Sequence, residues 1–259
     1  QSVADGATVE LLYDEGIALL NVKKEELNKE FDEKFGHLSE DKKDKLKREA
    51  LRKYLLSSER INTIGKHIIN NYRDKIYPDG HKAMIVCSGR EAAIKYQQVL
   101  HQLKESGYHN FNSKVVVSIG SPKSDAIAKD YYETLDWNKN NPTNKKPIYV
   151  VPPEDVKDAT DFYKLPFGDE TETEKSGKKK YDNTAFMIVS DMLLTGWDAP
   201  IASCLYLDKP LKEHNLLQAI ARVNRSGKGK NAGYIVDYNG ITAYLIQALE
   251  IFSGDIRPD

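Results

Sequence analysis

Five short apolar runs, separated by helical or polar segments, constrain the fold of this chain more than any other feature. The runs are rich in Val, Ile, Leu and Met, and they cover residues 83–87, 115–119, 186–190, 204–207 and 234–237. Continuous apolar strands are typical of a parallel sheet whose two faces are both covered by helices. Helical patterns alternate with these runs, at residues 90–105, 124–137, 213–225 and 240–252. The alternation predicts an α/β domain with a doubly wound, mainly parallel sheet.

The N-terminal 80 residues have a different pattern. Residues 8–13 and 17–20 predict a short hairpin around the turn at 14–16. Residues 23–77 follow with apolar positions at helical spacing and acid-before-base pairs four residues apart, so they predict a helical connector. We favour a solvated linker as the interpretation of this charged helix, and contact with DNA or a partner is the alternative. We therefore place a hairpin and connector at 1–80 and an α/β domain at 81–259.

A hydrophilic segment interrupts the α/β domain. Residues 138–182 are rich in Asn, Pro, Lys and acidic side chains, a composition that predicts an inserted loop. Within it, the β-branched and aromatic residues at 148–151 predict one short strand.

The composition restricts the classes of protein to which the chain can belong. Of its 259 residues, 40% are hydrophobic and 30% are charged, which supports a core and excludes a wholly disordered chain. The formal net charge is −1, so any contact with nucleic acid has to use a local basic face. Cys87 and Cys204 lie within apolar runs and predict buried free thiols of a cytoplasmic protein. Without a run of 18 apolar residues or a signal peptide, we expect neither membrane insertion nor secretion.

A polar loop follows the apolar run at 186–190. In the sequence Asp191-Met-Leu-Leu-Thr-Gly-Trp-Asp-Ala-Pro200, Thr195, Gly196 and Asp198 offer a hydroxyl, a backbone amide and a carboxylate. Ligands of open α/β sheets bind outside the carboxyl ends of the strands, where this loop is expected to lie. We therefore expect it to contact a nucleotide or a nucleic-acid backbone. The alternative for Asp198 is a cap before Pro200.

Two further groups of residues are suited to anions. Gln218, Arg222 and Arg225 are spaced by four and three residues, so they share one face of a helix. Paired guanidinium groups suit the charge of a transferring phosphoryl group, although arginines in the last turns of a helix also simply complement its dipole. Ser88 and Arg90 lie where a strand ends and a helix begins, a site for an anion or for an ordinary cap by Ser88.

The chain lacks the motifs that would complete a nucleotide site. In a P-loop the Gly-Lys pair is followed by Ser or Thr, and none of the four Gly-Lys pairs here is followed by either. No zinc-binding motif and no Cys-x-x-Cys occurs, so we expect no metal site.

Three segments resemble motifs of helicase superfamily 2, in the order usual for that superfamily. Residues 82–93 resemble motif IV, residues 191–200 motif V and residues 218–225 motif VI. Together with the opening segment at 1–9, they resemble the second RecA-like motor domain of the R subunit of type I restriction-modification enzymes. Trp197 stands where that family more often has Phe. The resemblance implies a RecA-like sheet preceded by a helical connector.

The resemblance also implies roles for individual residues. It assigns catalysis on ATP to Arg222, Arg225 and Gln218. It assigns nucleotide contacts to Gly196, Asp198 and the same two arginines. It assigns contacts with the DNA backbone to Ser88, Arg90 and Thr195.

The implied partners lie mostly outside this chain. Since the chain begins at Gln1 rather than Met, we expect it to be a piece of a longer protein whose first motor domain holds ATP and Mg²⁺. The complete subunit would translocate double-stranded DNA, carry a nuclease domain and work with methylation and specificity subunits, whereas this chain alone would be inactive. Two alternatives stay open: another superfamily 2 ATPase, such as a type III restriction motor or a repair helicase, and a non-catalytic α/β module that binds protein.

Overall fold

The computed structural model describes residues 9–16, 37, 39–194, 196–209, 211, 213–226 and 229–238. In that part of the chain six strands form one sheet, parallel throughout, in the order β1-β6-β5-β2-β4-β3. The strands are β1 Glu10–Glu15, β2 Lys82–Cys87, β3 Asn112–Val116, β4 Thr184–Val189, β5 Ala202–Asp208 and β6 Ala232–Asp237. The helices are α1 Glu40–Leu55, α2 Ser58–Asn71, α3 Arg90–Glu105, α4 Ala126–Asn140, α5 Val156–Tyr163 and α6 Glu213–Val223. The predicted α/β class with a parallel sheet is confirmed.

Helices cover both faces of the sheet because alternate side chains of each strand point to opposite sides. Ala83 and Ile85 of β2 belong to the core beneath α2 and α3, whereas Met84 and Val86 belong to the core beneath α5 and α6. Every residue of β2, β4 and β5 is buried. Burial on both faces explains why these strands are continuous apolar runs in the sequence.

The first strand extends the sheet at its edge. β1 pairs in parallel with β6, with Glu10 opposite Ala232. The other predicted hairpin strand at 17–20, the start of the connector at 23–36 and the last predicted helix at 240–252 lie outside the described residues. The division at residue 80 stays a prediction, and β1 and α2 both pack with the sheet.

The segment predicted as an inserted loop at 138–182 contains a helix, α5. The strand expected at 148–151 is wrong, because these residues have no strand conformation. One backbone hydrogen bond of 2.9 Å, from the amide of Val151 to the carbonyl of Val115, joins them to β3. Pro147 and Pro152 flank the segment and have no N–H with which to continue a ladder.

A buried ion pair fixes the end of this segment to the sheet. Asp182 accepts a hydrogen bond of 2.8 Å from the Nζ of Lys82, and the Nζ of Lys114 lies 3.3 Å from its other oxygen. Lys82 also donates to the carbonyl of Tyr163 at 3.0 Å. Burial lowers the pKa of Lys82 to about 8. Burial opposes the ionisation of Asp182, but the two lysines outweigh it and hold the pKa of Asp182 below its usual value.

A second buried ion pair joins α2 to the carboxyl edge of the sheet. Arg60 donates hydrogen bonds of 2.7 and 2.5 Å to the two oxygens of Asp208, the last residue of β5. The hydroxyl of Tyr96 donates to the same carboxylate at 2.7 Å. The side chains of Arg60 and Asp208 are only 4% and 1% exposed. This bidentate pair brings the connector helices next to the edge at which ligands of parallel sheets bind.

Candidate functional site

The loops that carry or adjoin the candidate residues lie at one edge of the sheet. Ser88 follows β2, the loop at 190–201 follows β4, and Lys209 follows β5. Because all strands are parallel, their carboxyl ends meet at this edge, as the sequence predicted for these loops.

The loop after β4 is anchored by two buried side chains, and Gly196 and Asp198 are exposed beside them. Leu194 and Trp197 are buried in the core beneath α5 and α6, and the ring of Trp197 lies 5.7 Å from that of Tyr163. Gly196, between them, has a φ of 70° and an exposed position, which a left-handed turn allows at glycine without strain. Asp198 is 52% exposed. Thr195, the predicted DNA contact, lies outside the described residues.

Arg222 in α6 and Arg225 just after the helix contact that loop in different ways. The guanidinium of Arg222 donates to the main-chain carbonyl of Trp197, and its Nε donates to the carbonyl of Gln218 at 3.2 Å. Burial lowers the pKa of Arg222, and the positive charge of Arg225 adds to this effect. The Nε of Arg225 lies 3.6 Å from Asp198 Oδ1, and the side chain is 51% exposed.

Three predicted nucleotide residues, Asp198, Arg222 and Arg225, are therefore close together. α6 ends at Val223, so Arg225 lies beyond the helix and beside Asp198. Asp198 faces Arg225 through Oδ1, and its role as a cap before Pro200 stays an alternative interpretation. Gln218 takes part in this site through its main-chain carbonyl, which accepts from the Nε of Arg222.

Lys230, in the turn before β6, contacts the end of the loop after β4 and the start of β5. The Nζ of Lys230 donates to the carbonyl of Ala202 at 2.7 Å and lies 3.4 Å from the carbonyl of Pro200. Burial lowers the pKa of Lys230 to about 8, and the negative charge of Asp198 opposes this effect. The lysine therefore points inward and ties the turn before β6 to the start of β5.

The predicted motif IV residues lie at the start of α3. Gly89, not Ser88, occupies the N-cap position, and no side chain caps the helix there, so the interpretation of Ser88 as a cap is wrong. Arg90 is 33% exposed and forms an ion pair with Asp125, and it also donates to the carbonyl of Ser118 at 3.0 Å. The hydrogen bond from Arg90 is the main cause that lowers the pKa of Asp125.

Sequence reasoning missed this partner of Arg90. Asp125 also caps α4 by accepting from the amides of Ile127 and Ala128, at 3.0 and 3.4 Å. An aspartate just before a helix signals a cap, but no local pattern indicates that it faces an arginine 35 residues away. One oxygen of Asp125 caps the helix while the other accepts from Arg90.

Comparison with known proteins identifies the family. Residues 79–240, more than half of the chain, match the model of type I restriction enzyme subunit R domain 3. The chain is 32% identical over 260 residues to the type I restriction enzyme HindI endonuclease subunit of Haemophilus influenzae, covering 97% of this chain and 21% of that protein. This chain therefore belongs to the family of type I restriction enzyme R subunits.

Two further comparisons give the extent of the similarity. A Methanocaldococcus jannaschii protein described as the MjaIXP type I restriction endonuclease subunit is 28% identical over 261 residues, which is 98% of this chain and 21% of that protein. A solved fragment described as an HsdR subunit from Vibrio vulnificus YJ016 is 14% identical with a TM-score of 0.48, and the match covers 94% of this chain and 35% of that one. The chain spans about a fifth of the length of these curated relatives.

The described residues contain neither a metal-binding cluster nor a membrane-spanning helix. Among them, no group of three His, Cys, Asp or Glu side chains is placed to hold a metal ion. In the same ranges no helix combines the length and apolar character needed to cross a membrane.

Proposed function

We propose that this chain is the second motor domain of an ATP-dependent double-stranded DNA translocase, within the R subunit of a type I restriction enzyme. The arrangement of Arg225 carries the proposal. Its guanidinium is half exposed at the carboxyl edge of the sheet, beside Asp198, while Arg222 is held against the Trp197 carbonyl. The family match favours this function over other superfamily 2 motors and over a protein-binding module.

The residues fit one side of a polyphosphate site. Two guanidinium groups and the exposed Gly196 turn lie on one surface, and no P-loop occurs in the sequence. Bound ATP would supply the phosphoryl group for transfer to water. Arg225 would meet the negative charge that develops on the transferred phosphate, and Arg222 would keep the loop after β4 in register with α6. ATP and Mg²⁺ would be held mainly by the first motor domain of the same polypeptide.

The DNA contact in this proposal uses the start of α3. The amides after Gly89 and the side chains of Ser88 and Arg90 would receive a backbone phosphate, because the first turn of a helix has unpaired N–H groups and a positive dipole end. Such contacts are few and do not read bases. Sequence recognition would belong to the specificity subunit, and methylation and DNA cleavage to other parts of the assembly.

The test compares this chain with the complete subunit. We expect no ATP hydrolysis by the purified 259-residue chain and DNA-stimulated hydrolysis by the complete subunit. Binding of duplex DNA by the chain alone should be weak and should fall steeply with added salt, since it depends on phosphate contacts. Strong Mg²⁺-dependent hydrolysis by the chain alone, or tight binding that salt does not weaken, would contradict the proposal.

A further inference from the structure

A cleft opens between α1 and the first turn of α3, beside Ser88. Four cationic side chains line it: Arg48, Arg52, Arg90 and Lys209. Its apolar lining consists of Leu55, Leu56, Ala92 and Ile127. Glu91 is the one acid among the described residues that line it. The cleft therefore concentrates positive charge in a protein whose formal net charge is −1.

Two of these cations pair with acids that do not line the cleft. Arg90 pairs with Asp125 and Lys209 with Asp191, and neither aspartate is among the residues that line the cleft. These aspartates orient Arg90 and Lys209 without placing a carboxylate on the lining of the cleft. The cleft thus holds four cations against one carboxylate at its surface.

The two arginines of α1 differ in their partners. Arg52 pairs with the Glu91 carboxylate at 2.6 Å, with its side chain 73% exposed. Arg48 is exposed and makes no hydrogen bond or ion pair with any residue that the structure describes. Because Glu91 is the one acid that lines the cleft, an entering anion meets Arg48, which has no partner among the described residues, and competes with Glu91 for Arg52.

Space for an anion lies directly in front of α3. A Cβ added at Gly89 would meet no atom within 4 Å, and its φ of 167° is extended backbone that any residue adopts. With no side chain as cap, the first amides of α3 point into this space. The helix start and the α1 arginines therefore face the same opening from two sides.

We propose that α1 forms the second wall of a DNA-backbone clamp, in which Arg48 and Arg52 bind phosphates beside those received at the start of α3. The connector helix is then a DNA-binding element rather than a solvated linker. The open cleft, lined by two exposed arginines, suits a continuous phosphodiester strand. That the ligand is DNA rests on the proposed function. That α1 contributes to an anion-binding cleft rests on the residues that line it.

The test measures binding of a fluorescent duplex DNA to the 259-residue chain over a series of salt concentrations. Arg48→Ala should weaken binding and lower the slope of log K against log salt by about 0.9, the value for one lost phosphate contact. Lys42→Ala is the matched control, since Lys42 is an exposed cation of the same helix outside the cleft. It should leave the slope unchanged.

Glu91→Gln and Gly89→Asp complete the design. Glu91→Gln should tighten binding, because it removes the acid that competes with phosphate, and a purely structural Arg52–Glu91 pair would not give that result. Gly89→Asp should abolish binding while the melting temperature stays equal or rises, since Asp is a better N-cap than Gly. The variant therefore separates lost binding from lost folding.

The outcomes separate this inference from the proposed function. If Gly89→Asp abolishes binding but Arg48→Ala and Glu91→Gln do not change it, DNA contact at α3 stands and the clamp is wrong. If the chain binds DNA and none of these variants changes the affinity, both assignments are wrong. A loss with Arg48→Ala equal to that with Lys42→Ala would show a general charge effect and would also overturn the clamp.

Discussion

The guanidinium of Arg222 donates a hydrogen bond to the main-chain carbonyl of Trp197, and this contact joins the last turn of α6 to the loop after β4. Three residues further on, Arg225 faces the half-exposed carboxylate of Asp198 instead. The resemblance to motif VI implies the same roles for both arginines. Their surroundings predict different roles, with Arg222 positioning the loop and Arg225 meeting the ligand.

The first prediction concerns Arg225. In the complete subunit, Arg225→Ala should lower turnover by ~10³ or more, because an arginine finger acts on charge that develops in the transition state. Nucleotide affinity and melting temperature should change little, since a half-exposed ion pair contributes only about 0–1 kcal/mol. Arg225→Lys should not restore turnover, because an ammonium lacks the planar fork. Measuring kcat, nucleotide affinity and melting temperature decides the matter: normal turnover with a lowered melting temperature would refute the finger.

The second prediction concerns Arg222. Arg222→Ala should lower the free energy of unfolding by roughly 1–3 kcal/mol, since the carbonyl of Trp197 then loses its donor. It should also disturb the surroundings of Trp197. The chain has two tryptophans, Trp137 and Trp197. In a Trp137→Phe background only Trp197 remains, so the fluorescence emission reports the surroundings of the loop after β4. Arg222→Ala should shift this emission to the red, whereas Arg225→Ala should not. Identical spectra for all variants would remove the positioning role.

The third prediction concerns the buried pair of Lys82 and Asp182. Asp182→Asn should destabilise the chain by about 3–5 kcal/mol, because it leaves a buried ammonium without its carboxylate. Lys82→Met should cost distinctly less, since Asp182 keeps Lys114 and also accepts from the amide and hydroxyl of Thr184 at 3.1 and 3.0 Å. Urea unfolding of both variants provides the measurement. Equal losses would mean that the two partners support each other symmetrically.

The sequence was sufficient for most of the sheet because burial on both faces leaves a continuous apolar run. It was insufficient for β1, whose partner β6 lies more than 200 residues away, and pairing at that distance leaves no local pattern. It also missed α5, because a short helix with one buried face between polar loops resembles a loop in composition. The start of β3 at Asn112, three residues before the predicted run, has the polar and half-buried character of an edge strand.

Some contacts of the candidate site could be expected from the sequence, and others could not. The closeness of Asp198, Arg222 and Arg225 was expected from the resemblance, and the structure brings them together. The pairing of Arg90 with Asp125 and the approach of Arg48 to the start of α3 depend on how separate elements pack. Such contacts follow from the tertiary arrangement, and helical periodicity alone places Arg48 on a solvated face.

The last prediction concerns pH and Lys230. Its folded-state pKa is about 8, against an ordinary value of 10.5, because burial disfavours the charged form. Below about pH 8 the ammonium is charged in both the folded and unfolded states, and its burial costs stability. Between the two pKa values the unfolded state binds more protons than the folded state, so stability rises with pH across that window.

Lys230→Met removes this titration, and the difference in unfolding free energy between wild type and variant isolates it. Relative to the variant, the wild type should gain on the order of 3 kcal/mol as pH rises from about 8 to 10.5. Buried tyrosines and cysteines titrate in both proteins and cancel in the difference. Lys66→Met, at an exposed position of α2, is the control and should show no such change. Urea unfolding at a series of pH values gives the result, and a difference that stays flat or falls with pH would mean that Lys230 remains charged where it donates to the carbonyl of Ala202.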